Sequence, residues 1–136
     1  MGELKSFILT KNTILFFAML ICLLSVILGA FGAHALKTVL SSSSLDIFKL
    51  GNYYQFNHGV ALSVVGILLD SYNREETKKL LNFSAITFIL GIVLSSGSLY
   101  LLALGFPKQI GFITPLGGMC FVAGWLALVV AFWKER

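Results

Sequence analysis

The sequence predicts an all-α membrane protein, a single domain over residues 1–136 that forms an antiparallel bundle of four transmembrane helices. Two features of the composition support this fold class: 57% of the 136 residues are hydrophobic, and only 12% are charged. Soluble domains have roughly 45–50% apolar and about 25% charged residues. Because a chain this short has too little interior to bury the surplus apolar surface, we expect it to lie in lipid.

Four stretches are long and apolar enough to be membrane spans, which need about 20 residues each. Lipid offers no hydrogen-bond partner to open backbone groups, so each span is expected to be helical. Ser44 is predicted to N-cap an interfacial extension of the second helix that begins at Leu45. The first apolar run is too long for a signal-peptide core, so we do not interpret it as one. The four predicted helices are residues 13–35, 53–69, 80–104 and 114–133.

The basic residues predict an orientation in which both termini face the cytoplasm. Cytoplasmic loops carry an excess of lysine and arginine. Three basic residues fall on the side of the first and third connections: Lys37, Lys49 and Lys108. Seven fall on the side of the termini and the middle connection: Lys5, Lys11, Arg74, Lys78, Lys79, Lys134 and Arg136.

Polar residues of all four helices fall in the halves predicted to lie in the outer leaflet. Ionisable and polar groups inside a membrane are costly, and they usually face the bundle interior or water. Tyr54 and His58 share one helix face because they are four residues apart. We therefore predict an outer-leaflet pocket, with Thr114 as the N-cap of the last helix. The predicted ligand-binding residues are His34, Tyr54, Gln55, His58, Ser96, Ser98, Tyr100 and Thr114.

The alternative is that these side chains only join neighbouring helices by hydrogen bonds. Trp125, near the middle of the last helix, is predicted to be a core residue. Cys22 and Cys120 lie in apolar runs without a paired-cysteine motif, so we expect two unpaired buried thiols.

Four strings in this order resemble the small bacterial membrane proteins of the domain of unknown function 423 family. The resemblance covers nearly the whole chain, and Gly59 stands where the pattern leads us to expect alanine. It implies four transmembrane helices in a bacterial cell membrane, and it brings no agreed reaction or substrate. The strings are Gly29-Ala-Phe-Gly-Ala-His-Ala-Leu36, Tyr54-Gln-Phe-Asn-His-Gly59, Ser96-Gly-Ser-Leu-Tyr100 and Thr114-Pro-Leu-Gly-Gly118 with Gly124-Trp125.

We expect a non-enzymatic, multi-pass protein of the bacterial inner membrane that binds a membrane lipid, a small amphiphile or a partner membrane protein, including a second copy of itself. No catalytic residue, cofactor or metal site is predicted, because two histidines without carboxylates or thiolates fall short of a zinc site. No basic stretch interleaved with aromatics indicates nucleic acid. The alternatives are a haem or redox protein ligated by His34 and His58, a histidine-dependent membrane enzyme, and an oligomeric channel.

Overall fold

The computed structural model describes residues 9–136, and within that range it contains helices and no strands. The all-α class is therefore confirmed for this part of the chain, and Lys5, used for the orientation, lies outside it. Short 3-10 turns precede α2 and α5. The helices are α1 (Lys11–Ala33), α2 (Ser42–Leu68), α3 (Glu75–Gly91), a π-turn (Ile92–Ser96) that continues α3 into α4 (Gly97–Ala103), and α5 (Ile113–Lys134).

The helix starts follow from local hydrogen bonds and correct two predictions. Ser41, rather than Ser44, caps α2: its hydroxyl accepts a hydrogen bond from the Ser44 N–H at 3.2 Å. The early start of the second helix is thus confirmed, three residues ahead of Leu45. Thr114 is not an N-cap, because α5 begins at Ile113 after Phe112. A run of four serines offers several equivalent caps, and the earliest one gives the longest helix.

The helices pack in a row rather than around a single axis. α2 and the continuous helix α3–α4 lie in the middle, α1 packs on α2, and α5 packs on α3 and the π-turn. We call the end with the α1–α2 and α4–α5 connections the distal end. The opposite end, with residue 9, the α2–α3 turn and the C-terminus, is the terminal end.

Three helical runs in the described range are long and apolar enough to cross a membrane: Lys11–Thr38, Glu75–Ala103 and Lys108–Lys134. The remaining predicted span, the second (residues 53–69), corresponds to the C-terminal part of α2, which does not meet that criterion. Its first half carries several polar residues between Asn52 and His58. The crossing of α2 and the orientation with both termini inside remain predictions.

Glycines set the closest helix approaches on the α5 side of the bundle. A Cβ built on Gly124 would lie 2.6 Å from the Phe88 ring, and one on Gly91 would lie 2.5 Å from the Phe121 ring. Each phenyl ring therefore occupies a position that only a glycine on the facing helix leaves open. Small residues at such positions let helices in membranes approach closely.

Ion pairs join the helix ends at the terminal end. Lys11 Nζ lies 3.3 Å from an Asp70 carboxylate oxygen, and Lys134 Nζ lies 3.1 Å from Glu76. Arg74 also donates to the Lys134 carbonyl at 2.5 Å. Exposed pairs of this kind contribute little individually, so their main effect is to position the α2–α3 turn against α1 and α5.

Candidate functional site

The distal half of α2 distributes its polar side chains between two neighbouring helices. Asn52 faces α1 and α4. Its Nδ2 donates to the Ser25 carbonyl at 2.7 Å and to the Ser25 hydroxyl at 3.0 Å, and it lies 3.4 Å from the Tyr100 hydroxyl. The Ser25 hydroxyl in turn donates to the Asn52 carbonyl at 3.3 Å. One side chain thereby links three helices.

Gln55 extends the same network one turn further along α2. Its Oε1 accepts from the Tyr100 hydroxyl at 2.6 Å, and its Nε2 donates to the Ile21 carbonyl at 3.0 Å. Tyr100 thus donates to Gln55 and accepts from Asn52, so the donors and acceptors are consistent along the chain of bonds. Because these polar groups satisfy one another, the network joins α1, α2 and α4 and offers few free groups to a ligand.

His58 points to the other side of α2, toward α5. Its Nε2 lies 3.2 Å from the Trp125 indole nitrogen, and its Nδ1 lies 2.9 Å from the Tyr54 carbonyl. An indole N–H can only donate, so Nε2 must accept and the ring proton must be on Nδ1. His58 is therefore a neutral imidazole with both ring nitrogens hydrogen-bonded.

Aromatic rings surround His58 on α3 and α5. The imidazole stacks on the Phe121 ring with centroids 3.5 Å apart and planes 13° apart, and the Phe88 ring meets it edge-on at 5.4 Å. The Tyr54 ring is also nearly parallel to the Phe121 ring, with centroids 5.9 Å apart. Through these rings, Tyr54 and His58 of α2 contact Phe121 and Trp125 of α5.

The gap between α2 and α5 is a groove of about 820 Å³, with π-turn and α4 residues as its base. The aromatic contact of His58, Phe121 and Trp125 lies at its inner end, and Gly111 and Thr114 lie at its distal mouth. No charged side chain lines it. The lining comprises Leu50, Tyr54, His58, Ser95, Leu99, Leu102, Gly111, Thr114, Pro115, Gly118, Phe121, Val122 and Trp125.

Hydroxyl groups at the mouth have a defined hydrogen-bond direction. The Ser98 hydroxyl donates to the Ser95 carbonyl at 2.9 Å, and it lies 2.6 Å from the Thr114 hydroxyl. Since the Ser98 proton is already used, Thr114 donates to Ser98 and keeps its lone pairs free. The mouth of the groove thus presents an acceptor.

The structure separates the eight predicted site residues into groups. Tyr54, His58, Ser98 and Thr114 lie at or beside the groove, while Gln55 and Tyr100 belong to the three-helix network. His34 is exposed at the C-terminal end of α1, in a shallow depression with Ala30, Phe31 and Ala35. Ser96 is buried in the π-turn, and its hydroxyl has no hydrogen-bond partner among residues 9–136.

Sequence reasoning missed two important residues. Trp125 was predicted to be core, but it is 48% exposed and donates to His58. That prediction was wrong because an indole N–H needs a polar partner, and its partner His58 lines the groove between α2 and α5, where Trp125 stays half exposed. Asn52 was not a predicted site residue, although a polar side chain one turn before Gln55 was an available signal.

The positions of His34 and His58 can be compared with what a haem protein or a histidine-dependent enzyme would need. The groove beside His58 is not lined by His34, and neither His58 nitrogen is free. In the part of the chain that the structure describes, no group of three or more histidine, cysteine, aspartate or glutamate side chains gathers. Cys22 and Cys120 are unpaired and half-buried.

Long apolar helices joined by hydrogen bonds between them, with large apolar side chains exposed along α1 and α5, define a helical integral membrane protein. The chain belongs to the family described as "Protein of unknown function (DUF423)", whose model matches residues 28–118. The matched stretch runs from α1 to the start of α5 and contains all eight predicted site residues. The predicted family resemblance is thereby confirmed.

Curated bacterial relatives agree with this assignment. UPF0382 membrane protein YwdK of Bacillus subtilis (strain 168) is 40% identical over 114 residues, covering 80% of this chain and 86% of the relative. UPF0382 membrane protein SSP2132 of Staphylococcus saprophyticus is 42% identical over 106 residues, covering 78% and 84%. UPF0382 inner membrane protein YgdD of Escherichia coli (strain K12) is 35% identical over 122 residues, covering 90% of both. No solved structure matches the chain.

Proposed function

We propose that this protein is a non-enzymatic, multi-pass protein of the bacterial inner membrane that holds one acyl chain of a membrane lipid in the groove between α2 and α5. The observation that carries the proposal is the groove itself, about 820 Å³ of space between two helices of the same bundle. An apolar space that opens sideways toward lipid takes up lipid chains rather than water.

The length of the groove supports an acyl chain. Along α5 the lining runs from Thr114 to Trp125, a distance of about 16 Å at the helical rise of about 1.5 Å per residue. Half of a bilayer's hydrocarbon core is about 15 Å. The groove therefore matches the depth of one leaflet, and the His58–Trp125 contact stands near the bilayer midplane.

The polar groups indicate which kind of headgroup fits. The groove has no charged lining residue, and the Thr114 hydroxyl at its mouth offers lone pairs. An uncharged headgroup with a hydroxyl donor, such as that of a monoacylglycerol, complements an acceptor of this kind.

The geometry of His58 favours lipid binding over a histidine-dependent enzyme or a haem protein. A general base or an axial ligand needs a free ring nitrogen, whereas both nitrogens of His58 are hydrogen-bonded. The groove could instead accept a partner membrane protein or a second copy of the chain. The following experiment distinguishes these protein occupants from a lipid.

The test fills the groove at Gly118. A Cβ built there meets no atom within 4 Å, so a larger side chain can enter the groove without displacing the backbone. Gly97 has the same free space but does not line the groove, which makes Gly97→Leu a matched control for Gly118→Leu. We would measure lipid bound to each protein by native mass spectrometry after gentle release from its own membrane.

We expect wild type and Gly97→Leu to carry one lipid, and Gly118→Leu to lose about nine-tenths of that occupancy because its side chain takes the place of the acyl chain. Bare wild-type protein, or equal lipid on Gly118→Leu and wild type, would overturn the proposal. A dimer or protein adduct that is lost in Gly118→Leu would instead identify the groove as a subunit interface.

A further inference from the structure

A second polar stripe on α2 has no partner within the bundle. Lys49, Tyr53 and Asn57 are four residues apart, so they lie one above another on one helix face. All three are exposed, and none makes a side-chain hydrogen bond or salt bridge with residues 9–136. The stripe differs in this respect from Asn52, Gln55 and His58 on the same helix, whose side chains are hydrogen-bonded.

The stripe borders a cleft of about 350 Å³ between α1 and α2. Gly29 and Gly32 line the cleft where α1 crosses the distal half of α2, and because they carry no side chains, Asn52 and Phe48 can pack close to the α1 backbone. It is separate from the groove on the other side of α2, and the two share no lining residue. Its lining comprises Ser25, Val26, Gly29, Gly32, Ala33, Phe48, Lys49, Asn52, Tyr53, Phe56 and Asn57.

Unpaired donors next to lipid require a partner. An amide or a phenol in hydrocarbon costs free energy unless it is hydrogen-bonded, and the stripe presents an ammonium, a phenol and an amide in successive turns of about 6 Å each. Helical side chains lean toward the helix N-terminus, which for α2 is the distal end. All three donors are therefore directed toward the membrane surface.

The excess of positive charge at the distal end favours an acidic lipid headgroup as the partner of the stripe. No carboxylate of the described residues lies within salt-bridge distance of Lys49. Lys37, Lys49 and Lys108 stand at the distal end against a single acid, Asp46. A zwitterionic headgroup would bring its own cation among these lysines, whereas an acidic headgroup adds none.

We propose that the α1–α2 cleft binds an acidic phospholipid, with its phosphate at Lys49, its ester oxygens at Tyr53 and Asn57, and one acyl chain over Gly29 and Gly32. This site goes beyond the proposed function, because it lies on a different face of α2 and takes a headgroup of different charge.

The test measures headgroup preference. Delipidated protein would be titrated with phosphatidylglycerol and with phosphatidylcholine of the same acyl chains, and bound lipid counted by native mass spectrometry. Lys49→Gln removes the proposed phosphate contact. Lys108→Gln is the matched control, since it removes the same charge at the same end but does not line the cleft.

We expect wild type and Lys108→Gln to prefer phosphatidylglycerol by about fivefold, the effect of one lysine beside an acidic headgroup, and Lys49→Gln to lose the preference. Asn57→Leu should weaken both lipids without changing their ratio. An equal loss in both lysine variants, or displacement by millimolar inorganic phosphate, would overturn the proposal, as would a change of oligomeric state in place of a change in bound lipid.

Gly118→Leu, which fills the groove between α2 and α5, should leave the headgroup preference of the α1–α2 cleft unchanged. The two proposals can therefore fail independently of each other.

Discussion

The two outer helices of the bundle are attached in different ways. At the distal half of the α1–α2 seam, Asn52 and Gln55 hydrogen-bond to α1, and a cleft remains beside them. At the α3–α5 seam, Phe88 and Phe121 fill the positions opposite glycines. Hydrogen bonds fix the orientation of two helices at a few points and leave space between those points. Interlocked side chains fill that space. We therefore expect ligand-binding sites to form along hydrogen-bonded seams such as α1–α2.

The strongest test of this contrast is at the α3–α5 seam. A Cβ on Gly117 would lie 2.4 Å from the Ser95 backbone nitrogen, and backbone cannot rotate away as a flexible side chain can. We expect Gly117→Ala to lower the free energy of unfolding by about 3 kcal/mol, measured by denaturation in mixed micelles. Gly118→Ala, at an open position next to it, should change it by less than about 0.5 kcal/mol. Similar values for the two would show that the seam is loosely packed.

The α1–α2 seam should respond less strongly to loss of its hydrogen bonds. Asn52→Leu removes the bonds to Ser25 and Tyr100. We expect a loss of about 1–2 kcal/mol in the same assay, because hydrogen bonds between membrane helices are individually weak. Asn57→Leu makes the same chemical change on the exposed face and should be close to neutral. If the Asn57 variant were the less stable of the two, the network would not be what holds α1.

The smallest expected effect is at Gly59. A Cβ there would lie 2.8 Å from the Cys22 sulfur and 2.9 Å from Ile21, so Gly59→Ala should cost about 1 kcal/mol, at the low end for overpacking. Adding Cys22→Ala relieves one of the two contacts and should recover about half of that loss, giving a coupling energy of about 0.5 kcal/mol in a double-mutant cycle. Purely additive effects would contradict the contact. The contact also explains why glycine occupies a position where we expected alanine.

Much of the fold could be predicted from the sequence because lipid imposes simple rules of length and hydropathy. The family, the helical class and the early start of α2 are confirmed. The partners of each polar residue could not be predicted. Gln55 and His58 are three residues apart, about 60° around the helix, and this angle is enough to send one to α1 and α4 and the other to α5. Nothing in the sequence indicates on which side of α2 each neighbouring helix lies. For the same reason, the sequence does not show that His34 is exposed and apart from the other predicted site residues.

The π-turn in residues 92–96 changes the phase of the longest helix. Its defining bond runs from the Gly97 N–H to the Ile92 carbonyl, five residues back rather than four, so one surplus residue is accommodated without breaking the rod. Each residue of an α-helix turns the chain by about 100°. Before the turn, Phe88 and Gly91 pack against α5; after it, Tyr100 hydrogen-bonds to α2, while Ser98 still contacts Thr114 of α5. The surplus residue rotates the helix faces after residue 96 relative to the faces before residue 92. One continuous helix thereby packs against both α2 and α5.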